Sequence, residues 1–155
     1  MSRRRARDLV FRALFVAEQG HSEFADVWRR IRAHPSEALD DSEDQDTFVL
    51  PQEDLVFADR IAEAYQHHHE AIDAALRDAI EGWSFQQMSQ TDLNVLRVAA
   101  TELQYLPDVP SKVTVEMAVR MAKTFGGEDS GRFVNAVASK IAAHGLNADG
   151  QEVDA

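Results

Sequence analysis

Arginines are concentrated at the start of the chain, at Arg3, Arg4, Arg5 and Arg7. A guanidinium group can hold a phosphate through two parallel hydrogen bonds, and its flat face can stack on a ring. Cations at the first turn of a helix oppose the helix dipole, so the cluster does little for stability. It is either a solvated terminus that aids solubility or an arm that binds a polyanion, and its unfavourable position slightly favours the arm.

Three consecutive histidines, His67 to His69, are the residues that best suggest a metal site. On a helix only side chains three or four positions apart converge, which leaves Glu63 with His67 as the one usable pair. A structural zinc site needs four ligands, and the chain has no cysteine to supply a thiolate or a disulfide. We therefore interpret the triplet as a solvated helix face and expect no metal and no cofactor.

Other signatures of catalysis are missing from the sequence. It has no glycine-rich phosphate loop, no nucleophile elbow and no convincing pair of carboxylates. It also has no apolar run near the roughly 20 residues of a membrane helix. Arg12 and Glu18 interrupt the apolar residues after the arm, which argues against a signal peptide. We expect a cytoplasmic binding protein that is not an enzyme and does not enter a membrane.

The net charge of −11 is unevenly distributed. Residues 36–54 contain eight acidic residues and no Lys or Arg, and residues 149–155 contain three more acidic residues. The rest of the chain is neutral overall. An acidic total therefore does not exclude nucleic acid, because a local basic patch decides that question.

The elements that must position these residues are all helical, because apolar residues recur at helical spacing and sustained strand-like alternation is absent. We predict an all-α fold of about seven helices in two packed sub-bundles. A single domain would span 1–148, with sub-bundles at roughly 1–82 and 83–148. The acidic segment 36–50 is predicted to be a loop, and 149–155 a flexible acidic tail.

Helix boundaries follow from local signals. Gly20 is a plausible stop for the first helix, and the long helix after Pro51 is expected to break near the histidine triplet. Ser89 with Asp92 resembles a capping box. The helix that follows is apolar on most sides, which predicts that it is central; only Asn94, Arg97, Thr101 and Gln104 mark a polar side.

The segment from Val109 to Ile141 predicts two helices joined by a Gly-Gly turn. Ser111 or Thr114 can cap the first of them. Phe133, at the start of the second, is either a core residue or a ring at the rim on which a base can stack. The residues alone favour the core position.

Three motifs resemble the NusB family of bacterial transcription antitermination factors. RRRARDLVFRALF, from Arg3 to Phe15, is similar to the start of the family, and LNVLRVAATEL, from Leu93 to Leu103, to its central helix. VPSKVTVEMAVRMAKTFGGEDSGRFVNAV, from Val109 to Val137, is similar to its C-terminal signature. The chain departs from the family pattern at Met117 and Ala136, where members often have Ala and Gly, and in its enlarged acidic loop.

The resemblance implies a fold of two helical sub-bundles packed at an angle. It also implies binding to the boxA element of ribosomal RNA transcripts, as a heterodimer with the ribosomal protein NusE. Such a complex helps RNA polymerase ignore termination signals.

The resemblance further implies a set of site residues. The arginines of the arm would contact phosphates, and a second surface near the arm would add RNA contacts, with Phe133 as a stacking platform. Phe15, often Tyr in relatives, and Asp92 would face NusE. The implied RNA-binding residues are Arg3, Arg4, Arg5, Arg7, Lys112, Asp129, Ser130, Arg132 and Phe133.

Two other functions remain open at this point. NusB-like domains also guide ribosomal RNA methyltransferases to RNA, but no glycine-rich cofactor-binding segment follows in this sequence. The chain could also be a helical scaffold that binds protein alone, including a second copy of itself through the face that NusE would use.

Overall fold

The structure, a computed structural model, describes residues 3–39 and 50–143. The described residues form helices and no strand, which confirms the all-α prediction of about seven helices. The helices are α1 (Arg4–Gly20), α2 (Phe24–Ala33), α3 (Pro35–Ala38), α4 (Gln52–Ala79), α5 (Gln90–Tyr105), α6 (Ser111–Gly126) and α7 (Glu128–Ala143), with a 3-10 turn at Phe85–Gln87.

The short helix α3 lies at the start of the segment that was predicted to be a loop. Pro35 occupies its first position, where the fixed φ of proline favours a helical turn. The prediction that 36–50 is entirely a loop is therefore wrong for its first residues. Residues 40–49 and the predicted tail at 149–155 lie outside the described residues.

Helix α1 buries one stripe of apolar residues, and it ends at a residue with a left-handed backbone conformation. Leu9, Val10 and Ala13 are buried completely. His21, directly after Gly20, has φ 51 and ψ 38, and its backbone N–H donates to the last carbonyls of the helix. Gly20 is thus the last helical residue, as its role as a stop signal predicts.

Helix α4 is kinked inside the histidine triplet, which confirms the predicted break. His68 has φ −125 and ψ 16, outside the helical region. Its ring stacks on Tyr105 of α5, with 4.0 Å between ring centroids. The kink divides α4 into two helical segments.

Helix α5 is central, as predicted: it packs against α1, α4, α6 and α7. Ser89 caps its start, since its Oγ accepts a hydrogen bond of 3.1 Å from the backbone N–H of Asp92. Every residue from Leu93 to Gln104 is buried, so the predicted polar side faces other helices. Arg97 on that side donates to Asp73 of α4 and Glu18 of α1.

Helices α6 and α7 form a tight antiparallel hairpin. Gly127 joins them with φ 95 and ψ −174, a backbone conformation that residues other than glycine rarely adopt. Gly131 permits close packing, because an added Cβ would lie 2.7 Å from Lys123 Cγ. The predicted cap of α6 is wrong: Pro110 is at the N-cap, and both Ser111 and Thr114 are buried.

Candidate nucleic-acid interface

The basic arm presents two exposed cations, Arg4 and Arg5, on the first turn of α1. Arg3 is only partly exposed, and its guanidinium lies over the ring of Phe57, 4.2 Å from the centroid. This cation–π contact anchors the start of α1 to α4. The arm is therefore held against the helical body at its base.

Arg7 is not part of an exposed arm, which corrects the prediction that it contacts RNA. Only 2% of it is exposed, and its Nε and Nη2 donate to the Glu102 carboxylate at 2.7–3.0 Å. Thr114 Oγ1 adds a hydrogen bond to the same carboxylate. The sequence contained a signal for this, because Arg7 lies on the helical face of Val10 and Leu14.

Glu102 was missed by sequence reasoning, although it completes this pair. It lies on the α5 face that also carries Ala99 and Leu106, so its helical position predicts burial. Burial raises the pKa of its carboxyl, and the hydrogen bond from Arg7 opposes that rise. The pair joins α1, α5 and α6, and removing either partner would leave the other as a costly unpaired charge in the interior.

Lys112 lies at the same end of the molecule as the arm. It is exposed on the first turn of α6, and its neighbour Val113 lines a cleft of about 340 Å³ together with Arg3 and Asp108. Asp108 accepts a hydrogen bond from Arg60, which lowers the pKa of Asp108. That carboxylate pairs with Arg60 and also attracts Arg3, and Glu53 and Asp54 line the same cleft, so the arm end carries carboxylates as well as cations.

The α6–α7 corner, Gly126 to Phe133, carries the remaining predicted RNA contacts. Asp129 and Arg132 are exposed and form an ion pair with each other. Ser130 is half-buried, and an added Cβ at Gly126 would clash with its side chain. Phe133 is half-buried at the rim, with its ring centroid 6.0 Å from that of Trp83.

The structure does not bring Lys112 and the corner together, which corrects the prediction of one second surface near the arm. Gly126 lies fourteen positions after Lys112 in α6, a length of about 21 Å at the helical rise per residue. The predicted RNA contacts therefore form an arm end (Arg3–Arg5 with Lys112) and a corner end (Asp129–Phe133).

The two residues predicted to face a protein partner lie near each other. Phe15 lines an apolar groove of about 550 Å³ between α1, α2 and the end of α6, and Thr91, next to Asp92, lines it as well. Asp92 Oδ1 is buried with no hydrogen-bond partner among the described residues. The groove also contains Arg12 and Phe125, neither of which was predicted.

Phe125 and Arg12 give this groove an aromatic wall and a cation. The ring of Phe125 stacks on Phe11 at 4.8 Å, and the Arg12 guanidinium lies 5.7 Å from the Phe125 centroid. The Nε of Arg12 has no hydrogen-bond partner within the described part of the chain. Arg12 stood out in the sequence only as a charge that interrupts an apolar run.

The histidine triplet does not form a metal site with its neighbours in the described part of the chain. Within residues 3–39 and 50–143, no three His, Asp or Glu side chains are grouped so that they could hold a metal ion. Of the histidine triplet, His67 and His69 are exposed and His68 is half-buried at the kink. None of the helices described has the length and apolar character needed to cross a bilayer.

Comparison with known proteins bears on this arrangement. The family model described as "NusB family" matches residues 4–143. The transcription antitermination protein NusB of Deinococcus deserti is 45% identical over 137 residues, which cover 88% of this chain and 77% of that protein.

Two solved structures have the same fold. NusB of T. maritima is 31% identical and has a TM-score of 0.75. The match covers 93% of this chain and 92% of that one. A second structure holds the antitermination factors NusB and NusE in complex with double-stranded RNA. Its matching chain is 20% identical, with a TM-score of 0.75 over 91% of this chain and 96% of that one. With helices, motifs and matched residues in agreement across nearly the whole chain, the protein belongs to the NusB family.

Proposed function

We propose that the protein is a non-enzymatic transcription antitermination factor. It binds single-stranded boxA-type RNA of ribosomal RNA transcripts in the cytoplasm, together with NusE, and supports elongation by RNA polymerase. The match of the family model to residues 4–143 carries this proposal. We also propose one domain at 1–148, with sub-bundles at roughly 1–82 and 83–148 and an acidic tail at 149–155.

The chemistry of the two ends supports RNA binding. Arg4, Arg5 and Lys112 are exposed cations at the arm end, where a phosphate backbone gains both charge neutralisation and hydrogen bonds. Phe133 supplies a ring at the corner end, and bases of single-stranded RNA stack on such rings irrespective of sequence. Asp129 and Ser130 can accept hydrogen bonds from base amino groups, and Arg132 remains a proposed contact beside them.

The groove beside Phe15 is the proposed NusE face. Its apolar wall and its rim near Asp92 fit the anatomy of a protein interface, with an aromatic anchor surrounded by polar groups. Because Phe15 has no hydroxyl, it can contribute packing there but no side-chain hydrogen bond.

A gel-shift titration with boxA RNA, with and without NusE, at two salt concentrations tests the proposal. The logarithm of the binding constant should fall linearly with the logarithm of salt, with a slope of about 0.7 per neutralised phosphate on a single strand. Replacing Arg4 and Arg5 together with Ala should reduce that slope by roughly 1.4.

Arg29→Ala is the matched control, because Arg29 is an equally charged and highly exposed residue on α2. It should leave both the affinity and the salt slope unchanged. If the arm variant and the control bind alike, the arm does not contact RNA. If the wild-type protein binds no RNA with or without NusE, the proposed function is wrong.

A further inference from the structure

Trp83 is the most exposed of the large hydrophobic side chains within the described residues, at 56%. It follows α4 in a turn with a defined backbone conformation. Gly82 takes a left-handed φ of +81, and the backbone N–H of Trp83 donates to the Ile80 carbonyl at 2.9 Å. A single exposed apolar side chain is ordinary at a protein surface, so the surroundings of Trp83 decide what it can bind.

Trp83 and Phe133 form the two walls of a cleft. Their ring centroids are 6.0 Å apart, and the ring planes are tilted by 59° to each other. The cleft has a volume of about 150 Å³. Apolar residues from the end of α4 and from α7 complete its lining, namely Ala79, Ile80, Ala136 and Val137.

The rim of the cleft carries one cation and one carboxylate. Lys140 Nζ lies 3.6 Å from Glu81 and 3.4 Å from the carbonyl oxygen of Ala79. Both side chains are at least half exposed, so the pair is weak and can exchange partners. An ammonium group there can approach a phosphate, and a carboxylate can accept a hydrogen bond from a base amino group.

We propose that Trp83 and Phe133 together bind one nucleobase of single-stranded RNA, with Lys140 directed towards the adjoining phosphate. The inference rests on the proposed function and extends it, because it assigns a second ring and a cation to the corner end. Two tilted rings beside apolar side chains offer stacking and edge contacts to a flat base, and the charged rim suits the polar edge of the base and its phosphate. A bulky apolar side chain of a protein partner would gain little from the charged rim.

Intrinsic fluorescence tests this directly, because the chain has two tryptophans and the other, Trp28, is only 6% exposed. The full-length protein with NusE is titrated with boxA RNA, and the same titration is run on Trp83→Phe. The difference between the two signals reports Trp83. It should be quenched saturably, with the midpoint that a gel shift gives for the same RNA.

Affinity provides the second measurement. Trp83→Ala should weaken RNA binding by roughly 5- to 150-fold, the range that one base stacked on an aromatic ring provides. Trp83→Phe, which keeps a ring, should retain most of the affinity. Val56→Ala is the matched control, since Val56 is also an exposed apolar residue of 48% exposure, on the first half of α4; it should bind RNA like the wild type.

The outcomes separate the two proposals. If RNA shifts the wild-type protein in the gel but Trp83 is not quenched and Trp83→Ala binds normally, this inference is overturned and the proposed function stands. If NusE alone changes the Trp83 signal and RNA adds nothing, the cleft belongs to a protein interface and the inference is again overturned. If no RNA binds at all, both proposals are wrong.

Discussion

At the scale of single residues, Arg4 and Arg7 show how one turn of a helix separates two environments. Arg4 is exposed, whereas Arg7 is buried against Glu102. Removing one member of a buried pair leaves the other charge without compensation, so Arg7→Ala should lower the free energy of unfolding by about 3–5 kcal/mol. Urea denaturation measures this loss.

Arg4→Ala is the matched control for that loss. An exposed substitution should change stability by no more than about 0.5 kcal/mol, while RNA affinity falls. Equal stability losses for the two variants would contradict the division between a structural and a binding arginine.

Tyr65 makes stability depend on alkaline pH. It is buried beside Phe24, and burial raises the pKa of its hydroxyl from 10.0 to about 12. The folded state therefore keeps the proton that the unfolded chain loses, so this contribution is fully present below pH 10. The free energy of unfolding then falls as the pH rises from 10 through 12, by roughly 2–3 kcal/mol in total.

Urea denaturation at pH 9 and pH 11.5 checks this expectation. The wild-type protein should lose more stability between the two values than Tyr65→Phe, which carries no ionisable hydroxyl at that position. Parallel losses in the two proteins would show that the environment of Tyr65 does not favour its neutral form.

At the scale of elements, the sequence predicts those helix starts, ends and breaks that depend on a few neighbouring residues. The Ser89 cap, the stop at Gly20 and the break at the histidine triplet each depend on a few neighbouring residues, and each was confirmed. The start of α6 was not predicted correctly, because Thr114 bonds to Glu102 of another helix. Tertiary partners of this kind are invisible to a capping pattern.

The turn of the α6–α7 hairpin depends on glycine at position 127. An added Cβ would meet no atom within 4 Å, so the constraint is conformational: φ is +95 and ψ is −174. Gly127→Ala should lower the free energy of unfolding by about 1–3 kcal/mol. Gly20→Ala, at the end of α1 with an ordinary φ, should cost much less in the same urea experiment, and equal costs would contradict this account.

At the scale of the whole molecule, the sequence suggests candidate residues but does not predict how far apart the fold places them. Motif similarity selects Lys112 and Phe133 alike, but the number of residues between them in α6 and the antiparallel packing of α7 determine that they lie at different ends. The same packing brings Trp83 next to Phe133, which is 50 positions away in the chain, so no local sequence pattern could pair them.

Protein binding and RNA binding should be separable. The groove at Phe15 shares no lining residue with the arm or with the cleft between Trp83 and Phe133. Phe15→Ala removes an aromatic anchor and should weaken NusE binding by roughly 30-fold or more, which corresponds to about 2 kcal/mol. RNA binding in the absence of NusE should not change. Calorimetry with each partner alone measures both, and a parallel loss of both affinities would show that the sites are coupled.

On the proposed function, the roughly 21 Å of α6 between Lys112 and the corner would make the protein a bivalent receptor for RNA. Each end alone offers a few contacts, but a strand that spans both binds its second site at a high effective concentration. Avidity should therefore produce a length threshold. Oligonucleotides too short to bridge the two ends should bind far more weakly than their base content suggests, and two halves of a bridging strand, added together, should not recover the affinity of the intact strand.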